Sequence, residues 1–189
     1  MTRPSPIPPG VRGDASFSPD GIYRYWLERQ WNKELPQFTY VLLNPSAAGS
    51  DHDDPTSRRL RSFTEVQGGG GYQLVNLFAL VDTDQVGLHH PRAIGESLEL
   101  ADQWIARAVD GADVVVLGWG DGNGRGPDAA HRKAAVRRRG AGVWPLVRAC
   151  SPQCFTTTNS GAPGHPLYLK TATELSDYVP GTEYLSDTP

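Results

Sequence analysis

The chain is poor in the residues that mark several common chemistries. It has two cysteines, Cys150 and Cys154. That excludes a disulfide framework and a four-cysteine zinc or iron–sulfur site. A two-cysteine metal site would need outside ligands such as His131 or His165, so the thiols are read as half-buried packing groups and neither metal nor cofactor is expected. No apolar run approaches the ~18 residues that span a bilayer. The opening MTRPSPIPPGVRG lacks the apolar centre of a signal peptide, so a soluble cytoplasmic protein is expected. G-x-S-x-G, H-E-x-x-H and cysteine–histidine signatures are missing. Excess positive charge is missing too. The net charge is −3, so the chain as a whole does not attract phosphates.

What is present is a globular mixture, with 38% hydrophobic and 21% charged residues. The length suits one domain, and no internal repeat or domain boundary is visible. Residues 1–15, rich in Pro and Gly, read as a loose N-terminal arm, and 16–189 as a single α/β domain. Tyr23 to Gln30 fits a strand or a short helix. Phe38 to Leu43 is a strand, stopped by Asn44-Pro45-Ser46 because proline cannot continue a ladder. Asp54-Pro55 opens a helix through Val66. Gly68 to Gly71 breaks the chain before a second strand, Tyr72 to Leu80, interrupted by Asn76.

Glu96 to Val109 has apolar residues at helical spacing. Asp113 to Leu117 is a short apolar run of the kind covered on both faces of a sheet, and it ends in the glycine-rich run Gly118 to Gly124. Asp128 to Arg139 reads as a helix. Val143 to Leu146 or Gln153 to Thr158 would supply a fourth strand, and a last helix is expected near Thr171. Strands alternating with helices predict a three-layer α/β/α fold on a mostly parallel, four-stranded sheet. Ligands of such sheets bind at the carboxyl ends of the strands.

That rule selects Asn44, Asn76, the segment after Trp119, and His165. Asn44 can orient a water or an amide, though it cannot act as a base. A nearby carboxylate, Asp53 or Asp54, could polarise that water. The alternative is that Ser46 and Asp54 only cap turns and a helix. Asn76 lies in an apolar strand, where an amide needs a partner; it reads a polar ring edge or is a satisfied structural group. The glycine-rich run has neither phosphate-loop nor dinucleotide spacing. His165, between Gly164 and Pro166, is suited to donating to developing negative charge. Two basic segments, Arg58-Arg59 with Arg61, and His131 to Arg139 with Arg137 and Arg138, could grip phosphates or be solvated helix faces.

Taken in order, the strand end at Asn44-Pro45-Ser46, Val75-Asn76-Leu77, Val115 to Gly120 and Gly164-His165-Pro166-Leu167 resemble the uracil-DNA glycosylase superfamily. The pattern is similar, more closely, to a bacterial branch of that fold marked by Asp53-Asp54-Pro55-Thr56, Asn76-Leu77-Phe78, Trp119-Gly120 and His165-Pro166-Leu167-Tyr168. That branch is considered to include phage-defence enzymes acting on glucosylated hydroxymethylcytosine. The resemblance implies a monofunctional, cofactor-free DNA glycosylase, monomeric, acting on duplex DNA with an extruded and modified base.

Under that resemblance Asn44 positions the water and His165 stabilises the departing base. Asn76 reads the base, with Phe63 or Phe78 stacking on it and Ser46 nearby. Leu167 or Tyr168 fills the gap left in the duplex. Arg58, Arg59, Arg137 and Arg138 would hold the DNA. The chain departs from the pattern where His-Pro-Leu replaces His-Pro-Ser and where the first motif lacks its leading glycine. Asp53 and Asp54 have no exact counterpart, so a base role for either is inferred from position alone. Two rivals remain open: an N-glycosidase of free nucleosides or nucleotides, and a non-catalytic nucleic-acid-binding module on the same fold.

Overall fold

A computed structural model of the chain describes residues 4–83, 85, 87–93, 96–122, 126 and 128–186. In chain order the elements are β1 (Ser5–Pro6), β2 (Arg12–Phe17), β3 (Arg24–Gln30), β4 (Gln37–Leu42), β5 (His52–Asp53), α1 (Pro55–Val66) and β6 (Gly71–Asn76). They are followed by α2 (Glu96–Asp110), β7 (Val114–Leu117), α3 (Ala129–Val147), β8 (Gln153–Cys154), β9 (Ser176–Asp177) and α4 (Thr182–Leu185).

Seven strands form one mixed sheet in the order β2-β3-β6-β4-β7-β8-β9. β4 pairs in parallel with β6 and with β7, and β7 with β8. The pairs β2–β3, β3–β6 and β8–β9 are antiparallel. The α/β class is as expected. The sheet itself is larger and more mixed than the mostly parallel, four-stranded one anticipated.

The alternation of side chains along β4 explains why both faces are covered. Phe38, Tyr40 and Leu42 join the apolar cluster that includes Leu60 and Phe63 of α1. Val41 and Leu43 join the cluster that includes Ile105 of α2 and Val136, Val143 and Val147 of α3. Burying each such side chain contributes about 1.5–3 kcal/mol. α1 begins where proline and a cap permit it. Asp54 accepts the Ser57 backbone N–H (2.7 Å), the Ser57 hydroxyl receives the Asp54 N–H (2.8 Å), and Pro55 occupies the first turn.

Several expectations require correction. The N-terminal residues read as a loose arm are paired: Ser5–Pro6 joins His52–Asp53, and Arg12–Phe17 forms an edge strand along β3. Backbone pairing there overrides the local Pro and Gly signals. The second strand stops at Asn76 rather than reaching Leu80. α3 runs past Arg139 to Val147, so Val143 to Leu146 is helical and the fourth parallel strand is Gln153–Cys154. Gly140 permits that extension. A Cβ there would lie 2.8 Å from Trp119 Nε1 and would also collide with the Tyr184 hydroxyl. Near Thr171 the chain turns, and the last helix is the short α4. Of the glycine-rich run, Asn123 and Gly124 lie outside the described residues. No helix among the described residues is long and apolar enough to cross a membrane.

Candidate active site

Three parallel strands end side by side, and the sequence places an unusual residue at or beyond each end. β6 terminates in Asn76, paired with Leu42 of β4. Leu77 N–H donates to the Leu42 carbonyl (2.9 Å) and Phe78 N–H to that of Leu43 (3.0 Å), which holds the two chain ends together. Asn44 follows at once. Its Nδ2 donates to the carbonyls of Pro45 (3.0 Å) and Asp82 (2.5 Å), tying the loop after β4 to the loop after β6. Both donors of the amide are thereby spent, and its Oδ1 makes no hydrogen bond with a described residue.

His165 arrives over the ends of β4 and β7. Gly118 N–H donates to the Val41 carbonyl, and Gly120 N–H to that of Pro163 (2.9 and 2.8 Å). A Cβ on Gly118 would sit 2.9 Å from Leu42 Cδ2 and 3.0 Å from Pro166 Cδ, so only glycine lets the histidine loop pack against both strands. Leu167 N–H donates to His165 Nδ1 (3.2 Å), which caps the short turn Pro166–Tyr168. An accepting Nδ1 carries no hydrogen, so the neutral ring holds its proton on Nε2. Burial lowers the His165 pKa to about 4 against the opposing pull of the Asp54 charge. At neutral pH His165 is therefore an uncharged Nε2–H donor.

Beneath these groups lie four buried charges. Arg29 Nε meets Asp53 Oδ1 at 2.9 Å, with both side chains almost completely buried. Arg24 is 1% exposed. Its Nη1–H donates to the Ala48 carbonyl (2.9 Å), and its Nη2–H makes a long contact with Asn76 Oδ1 (3.4 Å). Burial lowers its pKa to about 10, opposed mainly by the nearby charge of Asp54. Asp54 thus acts through space on both Arg24 and His165 while capping α1.

Asn44 and Asn76 accordingly stand at adjoining strand ends, His165 lies over the ends of β4 and β7 with Asp54 acting on it through space, and Arg24, which sequence reasoning passed over, meets Asn76. The available signal was a lone cation among the aromatics of Tyr23 to Trp26. Other expected residues lie elsewhere or are already engaged. Asp53 is committed to Arg29 and has no free role as a base. Phe63 is 0% exposed and packs on Phe155, ring centroids 4.3 Å apart; Phe78 is 1% exposed within the other apolar cluster. Neither ring offers a face on which a base could stack. Ser46 makes a weak contact with Thr83 (3.4 Å) between the two loops.

Arg58 donates to Ser5 Oγ and to the Asp53 carbonyl (both 3.0 Å). Arg59 bonds Thr171 and covers the Phe63 ring at 4.7 Å. Arg137 bonds the Glu183 carbonyl and lies near the Tyr184 ring. These three arginines first serve to hold the N-terminal segment, the segment after His165 and α4 in place, whereas Arg138 is exposed. Next to His165, Leu167 is half-buried and Tyr168 is 88% exposed. Among the described residues no three metal-ligating side chains gather.

The arrangement offers a neutral donor, two oriented amides and a buried charge system, a set suited to stabilising a leaving group and holding a water. A family model described as protein of unknown function (DUF1643) matches residues 24–167, and the chain belongs to that family. The matched span includes Arg24, Asn44, Asp54, Asn76 and His165. No curated protein and no solved structure matches the chain.

Proposed function

We propose that this member of the DUF1643 family is a DNA glycosylase that hydrolyses the N-glycosidic bond of an extruded, modified base and leaves an abasic site. The observation that carries the reading is His165: a neutral ring, its proton fixed on Nε2, beside the ends of β4 and β7. When an N-glycosidic bond breaks, the base departs with the electron pair and the sugar becomes cationic. Nε2–H donates to the developing anion on the base. A preorganised donor of this kind is worth about 2.7–4 kcal/mol of barrier.

Asn44 Oδ1 accepts from the attacking water, orienting its lone pair toward the anomeric carbon. The water's second proton leaves to solvent as the sugar–oxygen bond forms. Asp53 takes no part, being paired with Arg29. Asp54 contributes the negative charge that favours the cationic sugar. Tyr168, exposed beside His165, enters the stack vacated by the base, offsetting the few kcal/mol that extrusion costs. Within this reading the three strands ending at the site play the part of a glycosylase-like parallel core. Glucosylated hydroxymethylcytosine of phage DNA is the first modified base to test.

A second reading is favoured by one observation. Arg58, Arg59 and Arg137 have partners inside the protein, which weakens the case for a phosphate-gripping surface. On that reading the same site cleaves free nucleosides or nucleotides. Incubation with duplexes carrying uracil, hydroxymethylcytosine or its glucosylated form, beside the corresponding mononucleosides, separates the two. Abasic sites in one of the duplexes are expected. Release of base from mononucleosides alone would favour the second reading, and no release from any substrate would sink both.

A further inference from the structure

Arg24 does something to Asn76 that bears on what the site accepts. A guanidinium has five N–H groups and no acceptor. Arg24 uses two of its nitrogens, on the Ala48 carbonyl (2.9 Å) and on Asn76 Oδ1 (3.4 Å), while its Nε is buried with no partner. Because Arg24 can only donate, the atom of Asn76 that faces it must be the oxygen. Turning the amide over would set N–H against N–H in a place closed to water. Asn76 is 4% exposed, and its Nδ2 makes no hydrogen bond with any described residue. Nδ2 is not sealed from solvent, so the amide has one end held by Arg24 and the other open to water or a ligand.

We propose that Arg24 is a positioning residue that locks the Asn76 amide with Nδ2 presented to the ligand, so that the site requires a hydrogen-bond acceptor at that point. The proposal rests on the base-excising reading and narrows its substrate. A pyrimidine edge with a bare ring nitrogen and a carbonyl, as in the cytosine series, satisfies Nδ2. Uracil can offer Nδ2 a carbonyl, but its N3–H then finds no acceptor on an Asn76 whose Oδ1 is turned to Arg24, whereas the N3 of cytosine needs none.

The test is a double-mutant cycle on the full chain, read by thermal melting at neutral pH. Asn76→Asp places a carboxylate beside the guanidinium. With Arg24 present it should leave the melting temperature unchanged or raise it; in an Arg24→Met background it should lower it by several degrees. An equal fall in both backgrounds overturns the proposal. If Arg24→Met does not fold, the single change decides: a clear fall on Asn76→Asp is the contrary result. A second readout uses Arg24→Lys, which keeps the charge and loses the planar fork. The preference for cytosine-series over uracil duplexes should narrow about tenfold, the worth of one charge-assisted hydrogen bond. An unchanged preference overturns the positioning role. The melts need no substrate, so an inactive wild type would sink the glycosylase reading and still leave the coupling of Arg24 to Asn76 decided.

Discussion

Two guanidinium groups leave the same strand, β3, and differ in how they are served. Arg29 is 0% exposed, and each of its nitrogens donates: Nε to Asp53 (2.9 Å), Nη1 to the Glu28 carbonyl (2.7 Å), Nη2 to the carbonyls of Gly49 (2.6 Å) and His52 (2.8 Å). Arg24 is 1% exposed, yet it makes two such contacts, one of them long, and keeps a buried Nε without a partner. Asp54 acts on it through space without pairing with it. A buried charge costs several kcal/mol unless pairing and hydrogen bonds compensate. Arg29 meets that condition and belongs to the scaffold. Arg24 meets it only in part, and it does so against Asn76, at the place where a departure from full pairing is expected of a functional site.

The sharpest way to break this distinction is to remove the partner of Arg29. Asp53→Ala should destabilise the fold by about 3–5 kcal/mol in urea unfolding, because it strands a buried cation. A loss below about 1 kcal/mol would mean that the two arginines are not different in kind. Next in size is His165→Ala. Abasic-site formation should fall about 10²–10³-fold, the usual cost of one preorganised donor. The melting temperature should fall by no more than several degrees, since the change removes one turn cap and a partly buried ring and leaves the sheet intact.

His165 also sets a pH dependence. Its pKa stands at about 4 in the folded protein against an ordinary 6.5, so between those values the unfolded chain binds more protons. Stability is therefore complete above about pH 6.5 and declines as pH falls toward about 4. Urea midpoints across that range should show the decline, and His165→Gln should flatten it. A smaller effect is expected from Tyr168→Ala, about a tenfold loss on duplex with none on single-stranded substrate and no change in melting. Smallest is Arg138→Ala, which should reduce by about one the slope of log affinity against log salt. An unchanged slope would exclude Arg138 from the DNA contact.

The same contrast shows what the sequence could reveal. α1 was legible from Asp54-Pro55, β4 from its apolar, β-branched run, and α2 from its spacing, because each signal is local. His165 stood out because glycine and proline flank it. The edge strand β2 was hidden because its pairing with β3 supplies an order that its own residues do not announce. The extension of α3 depends on Gly140 meeting Trp119 and Tyr184, contacts between distant parts of the chain. Phe63 and Phe78 resembled base-stacking groups in the motif pattern, but burial made them core. Arg24 was invisible for a related reason. Its meaning lies in Asn76 and Asp54, residues far off in sequence, and a lone arginine in a strand reads as an exposed one until the fold encloses it.

Everything proposed for catalysis depends on the protonation state of one ring. Long-range ¹H–¹⁵N correlation spectra of His165, assigned by its loss in His165→Gln, measure that state directly. At pH 7 a neutral imidazole with hydrogen on Nε2 and a bare Nδ1 is expected, titrating near pH 4. A proton found on Nδ1, or a midpoint near the ordinary 6.5, would contradict it.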